Sequence, residues 1–281
     1  MAENELGMFL RSRRETMTPA ELGLPAGARR RTPGLRRSEV AALAGVSVEY
    51  VTRLEQGRDR HPSAAVLGAL AGVLGLSASE RVHLHRLSKG ADPGFTCRAE
   101  ATLAREVRPT VRVILDRLEP TAAVLANLAG DLLVWTTGFE WLAGPTGLLD
   151  GDPPNLNRYV FTDRRSRTTF PDWDLVADHR VADLKQGPFR ADPHLATLAD
   201  ELTVTAGEAF ERRATEMAGV PHPSGVHRWL HPTAGELRMA YETLDLPADD
   251  GQRLIIHLPA DPATEAALAA QRPTALRLVA G

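Results

Sequence analysis

Apolar residues in the first ninety positions recur at helical spacing, in short runs that glycine and proline interrupt. This spacing places the apolar side chains of each run on one face of a helix. The pattern predicts five short helices, the first over 3–15 and the last ending near Ser88. Between the first two helices, residues 16–35 contain three prolines and three glycines, which favour a long loop with room for one helical turn.

Residues 36–59, RRSEVAALAGVSVEYVTRLEQGRD, contain two of these helices in close succession. Gly45 ends the first helix, because glycine enters the left-handed conformation at little steric cost. Ser47 is a good N-cap for the second helix, which Gly57 stops. Such a pair predicts a helix-turn-helix, whose second helix lies in the DNA major groove. Its shared apolar core is expected to comprise Val40, Val46, Val51 and Leu54.

From residue 99 onward, helical spacing alternates with the two-residue period of strands. Gly130 and Asp131 form the predicted turn of a hairpin over 121–137. In chain order, the other predicted elements are helices at 99–118, 138–143, 172–187, 192–204 and 205–218, strands at 226–231, 236–246 and 253–259, and a helix at 262–270. This α+β order predicts an antiparallel sheet covered by helices, with space for a pocket between them.

The charge of the chain is distributed unevenly around a net value of −3. Residues 1–90 hold 14 basic and 9 acidic residues, whereas residues 91–281 hold 19 basic and 27 acidic residues. The basic part suits a polyanion, which would repel the acidic part. ADPGF, at 91–95, is typical of a linker. We therefore predict a first domain at 1–90, a linker at 91–104 and a second domain at 105–281.

The composition predicts a cytoplasmic protein. The sequence has no run of about 18 apolar residues that would cross a membrane. Its start, MAENELGMFLRSRRE, lacks the apolar core of a secretory signal. A single cysteine, Cys97, permits no internal disulfide.

Five arginines lie within the eleven residues GARRRTPGLRR, and helix boundaries divide them into two groups. Arg36 and Arg37 start the first helix of the helix-turn-helix, whereas Arg29, Arg30 and Arg31 belong to the preceding loop. The loop arginines can serve as phosphate contacts or as an arm in a minor groove, and both alternatives remain open. The further DNA-binding candidates are polar residues at the start of the second helix: Ser47, Glu49, Tyr50, Thr52 and Arg53.

LAGVSVEYVTRLEQG resembles the Cro/C1-type, or xenobiotic-response-element type, family, and the resemblance covers about residues 5–88. It implies an all-α, five-helix, lambda-repressor-like DNA-binding domain. The family's usual glutamine at the second position of the first motif helix, which often contacts DNA, is Arg37 here. Arg36 replaces the usual serine or threonine cap. The family also has a much shorter connection than residues 16–35.

Segments of the second half resemble the MmyB-like regulators, a group common in actinobacteria. They are FTDRRSRTTFPDW at 161–173 and HPTAGELRMAYETLDLPADDGQRLIIHLP at 231–259. The resemblance implies a PAS-like ligand-binding domain and a fatty-acid-like ligand. Because Val134-Trp135-Thr136 stands where the group usually has AWN, a different apolar effector is an open alternative. Inward-facing candidates for contact with the ligand, with plain core as the alternative, are Leu125, Leu133, Trp135, Phe139, Phe170, Trp173, Phe210, Met217, Trp229, Met239 and Tyr241.

The sequence offers no complete set of catalytic or metal-binding residues. His222, His227 and His231 lie close in sequence, but no cysteine or carboxylate pattern completes a zinc site around them. Phosphate-binding, dinucleotide-binding and hydrolase glycine motifs are missing. We expect no enzyme activity, cofactor or metal.

The combined expectation is a homodimeric transcription regulator that binds an inverted repeat in double-stranded DNA and an apolar small molecule. In one alternative, the second domain only dimerises or binds a protein partner. An enzyme with an attached regulator domain is a third, less favoured class.

Overall fold

A computed structural model of the chain describes residues 4–24, 34–59, 61–90, 106–186, 189, 192–216, 220, 222–246 and 251–271. Within these ranges the chain forms two compact units. Unit one draws on residues 1–101 and 178–222, and unit two on residues 102–177 and 223–281. The domain boundaries predicted at 90 and 105 stay a prediction.

The first part of unit one contains the five predicted helices. They are α1 (Glu5–Thr16), α2 (Arg37–Ala44), α3 (Val48–Glu55), α4 (Ala64–Val73) and α5 (Ala78–Gly90), with a 3₁₀ turn at Pro19–Leu22. Their apolar faces form one buried core that includes Phe9, Val40, Val51, Leu54 and Leu70. The sequence predicted Val46 in this core, and it packs there while partly buried.

Local capping sets the ends of the two motif helices. Gly45 has a φ of 68°, and the Ser47 side chain accepts a hydrogen bond from the backbone N–H of Tyr50 at 3.0 Å. The side chain of Arg36 forms no cap, as its residue type implies. Instead, the Glu39 carboxylate accepts from the backbone N–H of Arg36 at 2.6 Å. This charge-assisted bond is the acid's half of a capping box, and the backbone N–H of Glu39, which a serine or threonine cap would accept, donates to the Arg36 carbonyl at 3.0 Å.

The connection between α1 and α2 is anchored at its C-terminal end. Leu35 is completely buried, and its backbone N–H donates to the carbonyl of Arg14 at 2.9 Å. The Arg14 guanidinium returns a hydrogen bond to the Leu35 carbonyl, also at 2.9 Å. The predicted helical turn in this loop is the one at Pro19–Leu22. Arg29, Arg30 and Arg31 lie outside the described residues.

The later part of unit one consists of helices from the middle of the chain. These are the end of α10, which runs over Trp173–Leu184 and begins in unit two, then α11 (Pro193–Ala206) and α12 (Glu208–Glu216). Apolar side chains of α11, including Leu195, Leu198 and Leu202, are buried. Helices were predicted at all three places.

Unit two contains a five-stranded antiparallel sheet in the order β2-β1-β5-β4-β3. The strands are β1 (Ala122–Ala126), β2 (Leu132–Trp135), β3 (Ser224–His231), β4 (Gly235–Leu246) and β5 (Gln252–Pro259). The helices of this unit, besides the start of α10, are α6 (Pro109–Leu118), α7 (Thr137–Ala143), α8 (Leu156–Thr162), α9 (Ser166–Thr169) and α13 (Pro262–Gln271). The predicted fold class, five helices followed by an α+β region, is confirmed.

The two faces of this sheet have different neighbours. On one face, Trp229, Met239, Tyr241 and His257 are buried, and the register places Tyr241 opposite His257. We call this the aromatic face. On the other face, Val111 and Leu115 of α6 join a buried cluster with Leu125. Side-chain alternation along each strand separates the two sets.

Helices α8 and α9 were not predicted from the sequence. Both are short, at seven and four residues, and the charged segment FTDRRSRTTF, which contains α9 and the end of α8, gives no apolar helical repeat. The Asn155 side chain caps α8 by accepting from the backbone N–H of Arg158 at 2.9 Å. The Tyr159 hydroxyl donates to the carbonyl of Thr146 at 2.9 Å. The cap is a local signal that was not recognised in the sequence, whereas the Tyr159 bond joins residues 13 apart that periodicity cannot relate.

Candidate functional site

The outer face of α3 presents the predicted DNA-binding side chains unequally. Ser47, Glu49 and Arg53 are exposed, whereas Tyr50 and Thr52 are half-buried. The hydroxyl of Ser47 already serves as the helix cap. That of Thr52 donates to the carbonyl of Val48 at 2.8 Å.

Arg53 and Tyr50 lie together on that face. The Arg53 guanidinium carbon is 5.5 Å from the centre of the Tyr50 ring, and half of the arginine side chain is exposed. One terminal nitrogen of Arg53 lies 3.9 Å from a carboxylate oxygen of Asp59. Burial raises the pKa of Tyr50, and the charge of Asp59 adds to that effect, so the phenol keeps its proton as a donor. A cation and a donor thus share the surface that a helix-turn-helix presents to base edges.

The two arginines at the start of α2 have different surroundings. Arg36 is exposed. Arg37 is partly exposed, and its Nε donates to Oε2 of Glu55 at 2.8 Å. Arg37 therefore has a partner within the fold and also reaches the surface.

Glu55 was not among the residues predicted for the site. Its side chain is only 2 % exposed and also receives hydrogen bonds from Arg14, at 2.6 Å from Nε and 3.1 Å from a terminal nitrogen. Position 55 follows Val51 by four residues, so both lie on the inner face of α3. The sequence shows that an acid occupies an inward position of this helix. It does not show which two basic residues pair with that acid.

Part of the predicted set for ligand contact comes together on the aromatic face. The ring of Trp229 meets Phe170 edge-on at 4.8 Å between centres and His257 at 5.8 Å. Phe139 lies 5.7 Å from the same His257 ring. Met239 and Tyr241 are buried on this face as well. Five predicted residues thus share one buried, largely apolar surface.

The remaining predicted residues differ in their positions. Leu125 and Leu133 pack on the opposite face of the sheet. Trp135 is half-buried on strand β2, and its pairing with Val124, which also pairs with Ile255, puts it on the same side of the sheet as His257. Phe210 belongs to unit one, and Met217 lies outside the described residues. The sheet therefore separates Leu125 and Leu133 from the aromatic face.

Trp173 is held by its own local contacts. Its indole N–H donates to the carbonyl of Val160 at 2.9 Å, and its ring meets Phe161 edge-on. The Arg167 guanidinium lies 3.3 Å from the centre of the indole. Trp173 thus packs with α8 and α9, and its polar atom is satisfied there.

The indole nitrogen of Trp229 is in a different situation. The side chain is 2 % exposed, and its N–H finds no hydrogen-bond acceptor within the part of the chain that the structure describes. A buried donor without an acceptor costs about 1–3 kcal/mol. The aromatic face therefore contains a donor that suits the acceptor of a bound molecule.

The histidines have packing partners. His231 stacks on Trp141 at 4.3 Å, and its Nδ1 accepts from the backbone N–H groups of Thr233 and Ala234, which leaves Nε2 to donate to the Trp141 carbonyl. His222 stacks on His179 at 4.2 Å in unit one. Burial lowers the pKa of His179 to about 4. Within the described ranges, no three His, Cys, Asp or Glu side chains are grouped to hold a metal.

The helices in the described ranges include none with the length and apolar character needed to cross a membrane.

Two known protein families match this chain, one in its N-terminal part and one in its C-terminal part. Residues 5–84 match a family described as a helix-turn-helix domain. Residues 107–270 match the MmyB-like transcription regulator ligand binding domain, which spans more than half of the chain. No curated protein matches the chain. The chain therefore belongs to the MmyB-like transcription regulators, and it is a DNA-binding regulator with a helix-turn-helix before its ligand-binding domain.

Proposed function

We propose that this regulator binds an inverted-repeat DNA site as a homodimer, under the control of an apolar molecule that carries a hydrogen-bond acceptor. The DNA-binding part of the proposal rests on α3, which exposes Arg53 and keeps Tyr50 beside it. A two-fold dimer presents two such helices about 34 Å apart, and this spacing favours inverted repeats.

Arg53→Ala tests the contact of α3 with bases. We expect binding to weaken by about 1–3 kcal/mol on a duplex that the wild-type protein selects from a random library, and by less on unselected duplexes. Fluorescence anisotropy at fixed salt measures both affinities. Arg112→Ala, which removes an exposed arginine on α6, is the matched control and should change both only slightly. Equal weakening on both duplexes would make Arg53 a phosphate contact.

The ligand part of the proposal has two supports. The family match is to a ligand-binding domain, and the aromatic face holds the buried Trp229 donor, which has no acceptor among the residues that the structure describes. Aromatic and aliphatic side chains with a few placed polar groups are the usual lining of small-molecule sites. A long-chain carboxylic acid satisfies both requirements, since its chain is apolar and its carboxylate accepts hydrogen bonds.

Thermal unfolding of the full chain with saturated fatty acids of increasing length tests this site. An acid present at about 100 times its dissociation constant stabilises the folded state by about 2.7 kcal/mol. We expect Trp229→Phe, which replaces the indole with a smaller aromatic ring and removes the donor, to reduce that stabilisation. Trp141→Phe, which alters a half-buried tryptophan stacked on His231, should leave it unchanged.

If no acid stabilises the wild-type chain, the alternative gains support. The C-terminal domain would then act by dimerisation or by binding a protein partner.

A further inference from the structure

Glu55 joins both helices of the helix-turn-helix to α1 through its carboxylate. It is the last residue of α3, and it receives hydrogen bonds from Arg37, the first residue of α2, and from Arg14 of α1. The side chain of Arg14 is 8 % exposed, whereas that of Arg37 is 40 % exposed. The buried acid thus has one basic partner inside the fold and one at its surface.

Further hydrogen bonds fix the acid and its inner partner. The Asn4 side chain donates to the backbone carbonyl of Glu55 at 2.5 Å. The Arg14 guanidinium also donates to the carbonyl of Leu35 at 2.9 Å. Glu55 therefore cannot turn toward solvent without breaking the bidentate pair with Arg14. Arg37 meets an acceptor whose position is set by the core.

The contact with Glu55 uses only the Nε of Arg37. The two terminal nitrogens of that guanidinium have no hydrogen-bond acceptor among the residues described, and the side chain reaches the surface at the N-terminus of α2. Backbone N–H groups at a helix N-terminus favour an anion at the same place. A guanidinium fixed by Nε can direct its terminal nitrogens at a phosphate, because its five donors lie in one plane.

We propose that Glu55 is a positioning residue for DNA binding, which holds Arg37 by Nε so that the terminal nitrogens meet a DNA phosphate. This inference rests on the predicted contact of Arg37 with DNA. It also explains why an arginine suits this position: a guanidinium binds Glu55 through Nε and directs two other nitrogens at the phosphate, whereas the three donors of lysine share one nitrogen and lack this fixed geometry.

The test compares Arg37→Ala and Arg37→Lys in two backgrounds. One is the wild-type chain, and the other carries Arg14→Met with Glu55→Leu. That pair leaves the net charge unchanged, and apolar replacement of a buried ion pair is often neutral or stabilising. Affinity for the library-selected duplex is measured over a series of salt concentrations, and thermal unfolding confirms that each variant is folded.

In the wild-type background we expect each Arg37 substitution to weaken binding by about tenfold, as for the loss of a hydrogen bond to a charged group. Arg37→Ala should also reduce the slope of log affinity against log salt by about 0.9, whereas Arg37→Lys keeps that slope because the charge remains. In the double-substituted background, Arg37→Lys should change affinity by less than about twofold, since the fixed geometry is already lost.

Two results would overturn the inference. Equal losses from Arg37→Lys in both backgrounds would show that Glu55 does not position Arg37. If Arg37→Ala in the wild-type chain causes no loss of affinity, Arg37 does not contact DNA. The Arg53→Ala result would still report separately on the recognition helix. If the double-substituted chain does not fold, Glu55→Asp supplies the second background with the same two criteria, because it keeps an acid near Arg14 and shortens the side chain that reaches Arg37.

Discussion

Replacing Glu55 with alanine is expected to lower the free energy of unfolding by about 3–5 kcal/mol. The substitution removes the carboxylate that pairs with Arg14, whose side chain is almost fully buried. A buried guanidinium without this acid is strongly destabilising, because the fold shields it from water, and half-exposed Glu15, 3.3 Å from one terminal nitrogen of Arg14, replaces only part of the bidentate pair. The loss should exceed that from any exposed residue of α3.

Chemical denaturation followed by circular dichroism measures this loss. Glu49→Ala is the matched control, since it removes an exposed acid from the same helix and should stay within about 0.5 kcal/mol of the wild type. A loss below about 1 kcal/mol for Glu55→Ala would mean that water or another side chain satisfies Arg14 in its absence.

The second large effect is expected at Lys185, which lies just after α10 in unit one. Its side chain is completely buried, and its ammonium lies 3.0 Å from Oε1 of Glu5 and donates to the carbonyl of Ala214 at 2.7 Å. Lys185→Ala should destabilise the fold by about 3–5 kcal/mol, because it separates a buried pair and leaves unfilled volume.

A double-mutant cycle separates the ion pair from packing. Glu5→Gln and Lys185→Met each break the pair while keeping side-chain volume, and the double variant should be more stable than the two single losses predict. Additive losses, measured by denaturation, would show that Lys185 acts through packing and the Ala214 carbonyl alone.

This pair links segments that match different families. Glu5 lies in the part of the chain that matches a helix-turn-helix domain, and Lys185 lies in the part that matches the ligand-binding domain. Both belong to unit one, and Val220, from the second segment, packs against the core of the DNA-binding helices. The stability of the DNA-binding helices therefore depends on residues that a division by family would assign elsewhere.

Local signals made the helix-turn-helix predictable. Gly45 determines the turn and Ser47 caps the following helix. Both residues act on positions next to them in the sequence. The Gly130-Asp131 hairpin followed from the same kind of signal. The partners of Glu55 could not be predicted, since they lie 41 and 18 residues away and are brought close only by tertiary packing.

The candidate ligand site shows a second limit of prediction. Alternation separates the two faces of each strand but does not relate one strand to the next. Leu125 pairs with Leu254, whereas His257 pairs with Ala122, so Leu125 faces away from the Trp229 cluster. Only the register between strands determines which apolar residues can meet one ligand.

The anchoring of Leu35 sets a limit on how far the loop arginines can extend. Leu24 is hydrogen-bonded to the carbonyl of Pro19, and Leu35 to the carbonyl of Arg14, so the chain between them is tethered at both ends. Eleven peptide steps span at most about 40 Å, which keeps the midpoint of the segment within about 20 Å of either tether. Any phosphate or groove that Arg29, Arg30 or Arg31 reaches must therefore lie within about one helical turn of the DNA beside α2.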